Sequence, residues 1–374
     1  MSYAQPEVQS AVVIAMHLID IADAIDLGQV EALWAQQART ASARSKLSSA
    51  PPKALAFGVP PVVLTLDPIQ FQAGGELHHA TVTARLYDFG VVAFSVQVKA
   101  GQRSWSAFTQ LVNAVDAALG PSAESAIWSE LLHQVKSILQ QALVRPSLAL
   151  LHEDYLLGIV HAFDQPVPVN TLHEHVDLVP LLSGEQRALS EQARQDLLRQ
   201  RFSYYADDLV VLTWDRAFIY EPRGDSDVVD ILEVANAQLL ELRYYDELLD
   251  AELPRMYDLV EVAHHIGNPF AARRFADLAR KLYTLVAEVT EITEKVDNAL
   301  QVTEDVYLSR VYASALELFR VPNVSHAVDR KLAIIRDTYA ALYEEASGKR
   351  GELMEMAIIV LIAVEIAIAV IRHV

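Results

Sequence analysis

Cysteine is absent from the 374-residue chain, which excludes a disulfide framework, a thiolate metal centre and a cysteine nucleophile. Basic side chains are scarce: 30 Lys and Arg stand against 49 Asp and Glu, for a formal charge of −19. That sign opposes a general phosphate-backbone binder, so no direct duplex nucleic-acid binding is expected. Glycine-rich phosphate loops are missing as well. Gly74-Gly75 lacks the Lys-Ser/Thr of a P-loop and no GxGxxG occurs, so no nucleotide or other cofactor is expected. Nor is there a helical HExxH. His78-His79, His264-His265 and His173-Glu174-His175 do not have that spacing and read as surface or core histidines, with no metal site.

What is present is apolar. Hydrophobic residues make up 52% and charged residues 21%, a balance that folds rather than stays disordered. The length favours two structural units. Met1 to Ser10 shows neither a signal peptide nor a transit segment and reads as a bacterial cytoplasmic start.

The expected fold class is α+β: a mixed α/β domain over residues 1–224, a long-helix hairpin region over 225–352 and a C-terminal membrane-spanning helix over 353–371. Short β-branched runs at Ala11 to Ile19, Val62 to Leu66, Tyr155 to Phe163, Leu209 to Thr213 and Ala217 to Tyr220 read as strands. His78 to Tyr87 and Val91 to Lys99 read as a hairpin turning at Asp88-Phe89-Gly90. Helices are predicted over Asp23 to Ala38, Ser104 to Leu119, Ser122 to Val144 and Gln186 to Gln200, with a linker from Ala41 to Pro52.

Beyond Gly224 the period becomes helical. Val228 to Val262 reads as one helix and about Phe270 to Phe319 as a second, where Leu282, Leu285, Val289, Ile292, Val296 and Ala299 form a coiled-coil-like seam. Pro322 then turns the chain into a third helix from near Ser325, making an antiparallel hairpin. Leu353 to Ile371 is apolar except for Glu355 and Glu365. At 1.5 Å per residue it spans about 28 Å, close to the roughly 30 Å hydrocarbon core. Leu353, Ile358, Ile359, Leu361, Ile362, Ile366 and Ile371 would face lipid, with Glu365 turned toward another helix. The expected location is the bacterial inner membrane, single-pass, with the main domain cytoplasmic.

The densest polar cluster runs from Tyr205 to Asp246. Asp207, Asp208, Trp214, Asp215 and Arg216 lead into a helix carrying Glu233, Asn236, Gln238, Glu241, Arg243 and Asp246. Asp246 falls on the apolar stripe with Arg243 three residues before it, a spacing suited to a charge-assisted pair. The set reads as a network at the domain junction, either structural or a ligand site with Glu233 or Asp246 as acid or base.

Trp214-Asp215-Arg216-Ala217-Phe218-Ile219-Tyr220-Glu221-Pro222, with Glu233, Asn236, Gln238, Glu241 and Arg243-Tyr244-Tyr245-Asp246, resembles the required-for-meiotic-nuclear-division family, a YagE-like domain of unknown function. Ile21-Ala22-Asp23-Ala24-Ile25-Asp26-Leu27 and the Glu355 to Ile366 tail are further marks. The resemblance implies a bacterial member with a non-catalytic α/β domain, helices and a C-terminal anchor. Eukaryotic relatives support mitochondrial translation by tethering. A membrane-anchored scaffold with a protein partner or self-association follows as the expected function, and a membrane-attached enzyme or ligand sensor as the alternative.

Overall fold

The computed structural model describes residues 6–36, 43–44, 59–265 except 124, 148–150, 166 and 225–226, scattered positions between 277 and 290, 305–341, and residues 344 and 359. The chain divides into two units, Met1–Glu241 with Lys295–Pro322, and Leu242–Glu294 with Asn323–Val374.

The first unit is built on one 10-stranded sheet. Its strands are β1 (Glu7–Asp20), β3 (Ala43–Arg44), β4 (Val62–Ala73), β5 (Glu76–Leu86), β6 (Val91–Ala100), β7 (Arg103–Ser104), β9 (His152–Phe163), β10 (Arg201–Phe202), β11 (Leu209–Leu212) and β12 (Arg216–Tyr220). They run in the order β10-β11-β12-β9-β1-β6-β5-β4-β3, with β7 on β1. β12 lies parallel to β9 and the other pairings are antiparallel. β2 (Ala22–Ile25) pairs separately with β8 (Leu143–Pro146). Two turns show why the meander β4-β5-β6 closes where it does. Gly74 and Gly75 have φ of 59° and 82°, the double left-handed geometry of a tight two-residue hairpin. Gly90 has φ of 103°, and a Cβ there would sit 1.7 Å from the Ala22 carbonyl oxygen, so only glycine fits.

The central strands are buried on both faces, as the near-continuous burial of β1 from Val13 to Asp20 shows. Successive side chains point to opposite faces. Val13, Ala15 and Ile19 on β1 join a core with Phe108, Val112 and Val115 of α2 (Trp105–Leu119) and Leu131, Val135 and Leu139 of α3 (Ile127–Leu139). These positions recur every three or four residues, so one face of each helix is apolar. Ser104 caps α2 by accepting from the Ala107 amide. α1 (Leu27–Gln36) and α5 (Val179–Ser183) add Trp34 and Leu181 to the same core. Two short helices, α4 (Leu172–His175) and α6 (Glu191–Leu197), lie to either side of α5 in the chain. On the opposite face, Tyr155 of β9 meets Phe319 edge-on at 5.3 Å, and Tyr87 and Arg85 meet the start of α7 (Val228–His265).

α7 is 38 residues long, and in the first unit Val228, Ile231, Leu232, Val234, Ala235 and Leu240 are completely buried. In the second unit Tyr245, Leu249 and Met256 share a core with Val289, Val328 and Ile335.

Four expectations are corrected here. No helix among the described residues is long and apolar enough to cross a membrane, which overturns the transmembrane helix, the membrane anchor and the single-pass inner-membrane location. The long helix α7 carries Asp230, Glu233, Glu241 and Asp246 along its length, which no lipid-facing span would. Of the proposed span 353–371, only Ile359 lies within the described residues, helical and 60% exposed. Leu353, Ile358, Leu361, Ile362, Glu365, Ile366 and Ile371 lie outside them.

The long antiparallel hairpin is not shown either. A single helix from Phe270 to Phe319 is interrupted at Asp305, whose carboxylate accepts from the amides of Tyr307 and Leu308 and starts α8 (Val306–Leu318). Arg320 then takes φ of 59°, and Pro322 falls in the first turn of the next helix, α9 (321–341), where a missing amide costs nothing. Most of the seam from Leu282 to Ala299 lies outside the described residues; of the seam residues, Val289 is described and buried.

Candidate functional site

The β11–β12 hairpin presents Trp214 and Asp215 at its tip. Its backbone is held from several directions. The Thr213 amide donates to the Arg216 carbonyl at 2.8 Å, and the Arg216 amide donates to Thr213 Oγ1 at 3.0 Å. The Tyr155 hydroxyl, fully buried, lies 3.0 and 2.9 Å from the carbonyls of Thr213 and Arg216 and donates between them. On this pinned turn the Trp214 side chain is 73% exposed.

Arg216 points the other way, into the core. Its Nη1 donates to Asn113 Oδ1 at 2.7 Å and to the Leu181 carbonyl at 3.0 Å, and its Nη2 pairs with Asp116 Oδ2 at 2.6 Å. A planar fork serving α2 and α5 together is a task for guanidinium rather than ammonium. Gly184, with φ of 67°, completes the cradle: a Cβ there would come within 2.4 Å of Nη2. Nε has no hydrogen-bond partner among the described residues and lies 3.8 Å from Asp215 Oδ2. Burial holds the Asp215 carboxyl above the usual range, with like charge from Asp116 adding to the effect, while Arg216 and Thr213 pull it down.

Glu233 belongs to a second buried group that sequence spacing did not reveal. It accepts from the Tyr87 hydroxyl at 2.7 Å and lies 3.3 Å from Arg85 Nη1, whose Nη2 pairs with Asp230 at 2.8 Å. Burial raises the Glu233 carboxyl against the pull of Arg85, and burial with the neighbouring Glu233 charge raises the Tyr87 hydroxyl.

The remaining expected residues are dispersed. Asn236 donates to the Leu232 carbonyl one turn back, Gln238 accepts from the Tyr312 hydroxyl, and Glu241 is buried. Asp208 accepts from the amides of Tyr204 and Tyr205, and Asp207 is exposed. In the second unit, Arg243 is exposed, and Asp246 is held by Lys331 Nζ at 2.6 Å, with Asp250 on the same ammonium at 2.7 Å. Within the first unit the expected residues thus divide between the Arg216 cradle, the Glu233 group and separate positions, while Arg243 and Asp246 belong to the second unit.

The most reaction-like geometry lies on residues outside the expected set. His17 and Asp154 are cross-strand partners on β1 and β9, with Nδ1 2.6 Å from Oδ1. The imidazole stacks on Trp128 at 4.7 Å and 15°, and His152 stands beside it at 5.1 Å. In the neutral tautomer that donates Nδ1–H to the carboxylate, Nε2 carries the lone pair, and it has no protein partner among the described residues. Asp154 and Leu156 share a face of β9, and Leu156 is in register with Arg216, so the pair and Arg216 lie on the same side of the sheet. Among the described residues no group of three or more His, Asp or Glu could hold a metal ion. His78 is structural, its Nε2 lying 3.2 Å from the Ala73 carbonyl.

No solved structure matches this chain. It is similar to the uncharacterised protein MJ0711 of the archaeon Methanocaldococcus jannaschii, with 25% identity over 193 residues that cover 51% of this chain and 58% of that relative. The match to an archaeal protein gives no support to a bacterial origin. The family model described as "Uncharacterized protein MJ0711, N-terminal domain" matches residues 10–227, well over half of the chain and all of the sheet from β4 to β12, and the chain belongs to that family.

Proposed function

We propose that this chain is a protein-binding scaffold, and that the tethering role implied by its resemblance to the required-for-meiotic-nuclear-division family is the closest functional description. The observation that carries the reading is Trp214: the largest side-chain type, 73% exposed, on a hairpin tip fixed by Thr213, Arg216 and Tyr155. Tryptophan on a preorganised turn is the type of residue that anchors interfaces. The polar residues nearby support the same reading, because Arg216 is spent on Asp116 and Asn113. A photo-crosslinking residue at position 214 is expected to give one discrete protein adduct, and Trp214→Ala to lose that partner from a pull-down while melting unchanged. A Trp214→Ala chain that retains the partner in full would refute the role.

A second reading rests on His17 and Asp154. A carboxylate-oriented imidazole with a free Nε2 suits acid–base work or hydrogen bonding to a small ligand. A thermal-shift screen of small molecules tests it. Any stabilising compound must lose its effect in His17→Ala, and a set of hits indifferent to that change removes the reading.

A further inference from the structure

We propose that the loop 203–208 forms, with Tyr307, a docking site for an arginine-bearing extended segment of the protein partner; this rests on the scaffold reading and names the chemistry of one contact. Tyr204 and Tyr205 are 60% and 47% exposed and stand edge to face at 4.7 Å, with Tyr307 behind Tyr204 at 5.4 Å. Such rings would swing freely on a mobile loop. Here Asp208 Oδ1 accepts from both tyrosine amides, at 2.8 and 3.0 Å, and Ser203 Oγ donates to the Tyr205 carbonyl at 2.6 Å.

The structure contains a stand-in for the ligand. The guanidinium carbon of Arg223 lies 4.2 Å from the centre of the Tyr205 ring, so this surface already takes an arginine on one aromatic face, while Tyr204 keeps the larger exposure. The charge around it is complementary. Asp207 is exposed and has no hydrogen bond or ion pair among the described residues, and Asp208, Asp305 and Glu221 all act on the Tyr307 hydroxyl, which burial and these charges raise. A planar guanidinium can stack on tyrosine while its edge donates to carboxylates, whereas a lysine ammonium gains less from the ring. The chain's −19 charge attracts any basic peptide, so the signature of the site is arginine over lysine and not basicity alone.

The test is isothermal titration of the full chain with acetyl-(Arg-Gly)4-amide and its lysine counterpart at low and high salt. The arginine peptide is expected to bind about fivefold more tightly, the scale of one exposed cation–π contact, and to keep that margin at high salt, where carboxylate attraction is screened. Tyr204→Ala should abolish the margin with an unchanged melting curve, and Tyr204→Phe should retain it. Trp214→Ala, at the other end of β11, should leave it intact. Equal affinity for the two peptides, no binding of either, or a margin that survives in Tyr204→Ala overturns the site. An adduct at position 214 without an arginine preference overturns the docking site and leaves the scaffold standing.

Discussion

Asp20 illustrates how burial, more than residue type, sets behaviour at the level of single residues. It is 2% exposed at the end of β1, and burial raises its carboxyl to about 6, opposed by hydrogen bonds from Ser147 and the Ala22 backbone and by the charge of Lys136, and assisted by Asp23. Because the folded-state value exceeds the unfolded one, the folded chain binds more protons between about pH 4 and 6. The stability this proton contributes is full below the unfolded pKa and is lost as pH rises through about 6. Asp20→Asn, which keeps an acceptor for Ser147, is expected to stabilise at pH 7 to 8 by up to about 3 kcal/mol and to be near neutral at pH 4. Urea unfolding across that range measures it, and a pH-independent difference would contradict the assignment. Arg216→Lys tests the guanidinium cradle in the same way. An ammonium cannot reach Asn113, Asp116 and the Leu181 carbonyl together, and the loss of about 3 kcal/mol expected for a broken buried network should appear as a lower urea midpoint.

Helix boundaries decide the behaviour of whole elements. The chain from Phe270 to Phe319 carries helical periodicity throughout, yet Asp305 accepts two amide hydrogen bonds and begins a separate helix. Asp305→Ala should cost about 1 kcal/mol and raise amide exchange at Tyr307 and Leu308 first. Asp305 was available as a start signal, since Asp is among the best N-caps, but helical periodicity read continuously from Phe270 to Phe319 masked the boundary. Pro322 shows the reverse case, a helix breaker that serves as the first turn of α9. β-strand register was not accessible in this way. Nothing near His17 in the chain names Asp154 as its partner, because antiparallel pairing of β1 with β9 brings together residues 137 apart.

Across the whole molecule the two units have separate cores, and the second is the smaller, built on Tyr245, Leu249, Met256, Val289, Val328 and Ile335. Lys331 joins Asp246 and Asp250 within it. Lys331→Ala is expected to cost about 1 kcal/mol, the scale of a partly exposed ion pair, and to weaken exchange protection in 321–341 while that of the sheet stays unchanged. Uniform loss across both units would show that they unfold as one.

Several features of this protein followed from sequence alone, because their causes are local. Composition excluded a disulfide or thiolate site, short β-branched runs and two alternating runs located most of the sheet strands and the turn at Gly90, and helical spacing located α2, α3 and the start of α7. Apolar length alone also suggested a membrane span, which no helix among the described residues is long and apolar enough to make. The tertiary structure decided what local pattern cannot express. Arg216 lies beside Asn113 and Asp116, Glu233 beside Tyr87 and Arg85, and Asp246 beside Lys331, partners separated by up to 146 residues of chain. A side chain's hydrogen-bond partner is set by which strands and helices pack together, and that choice is made by the burial of the whole core rather than by any residue's neighbours in sequence.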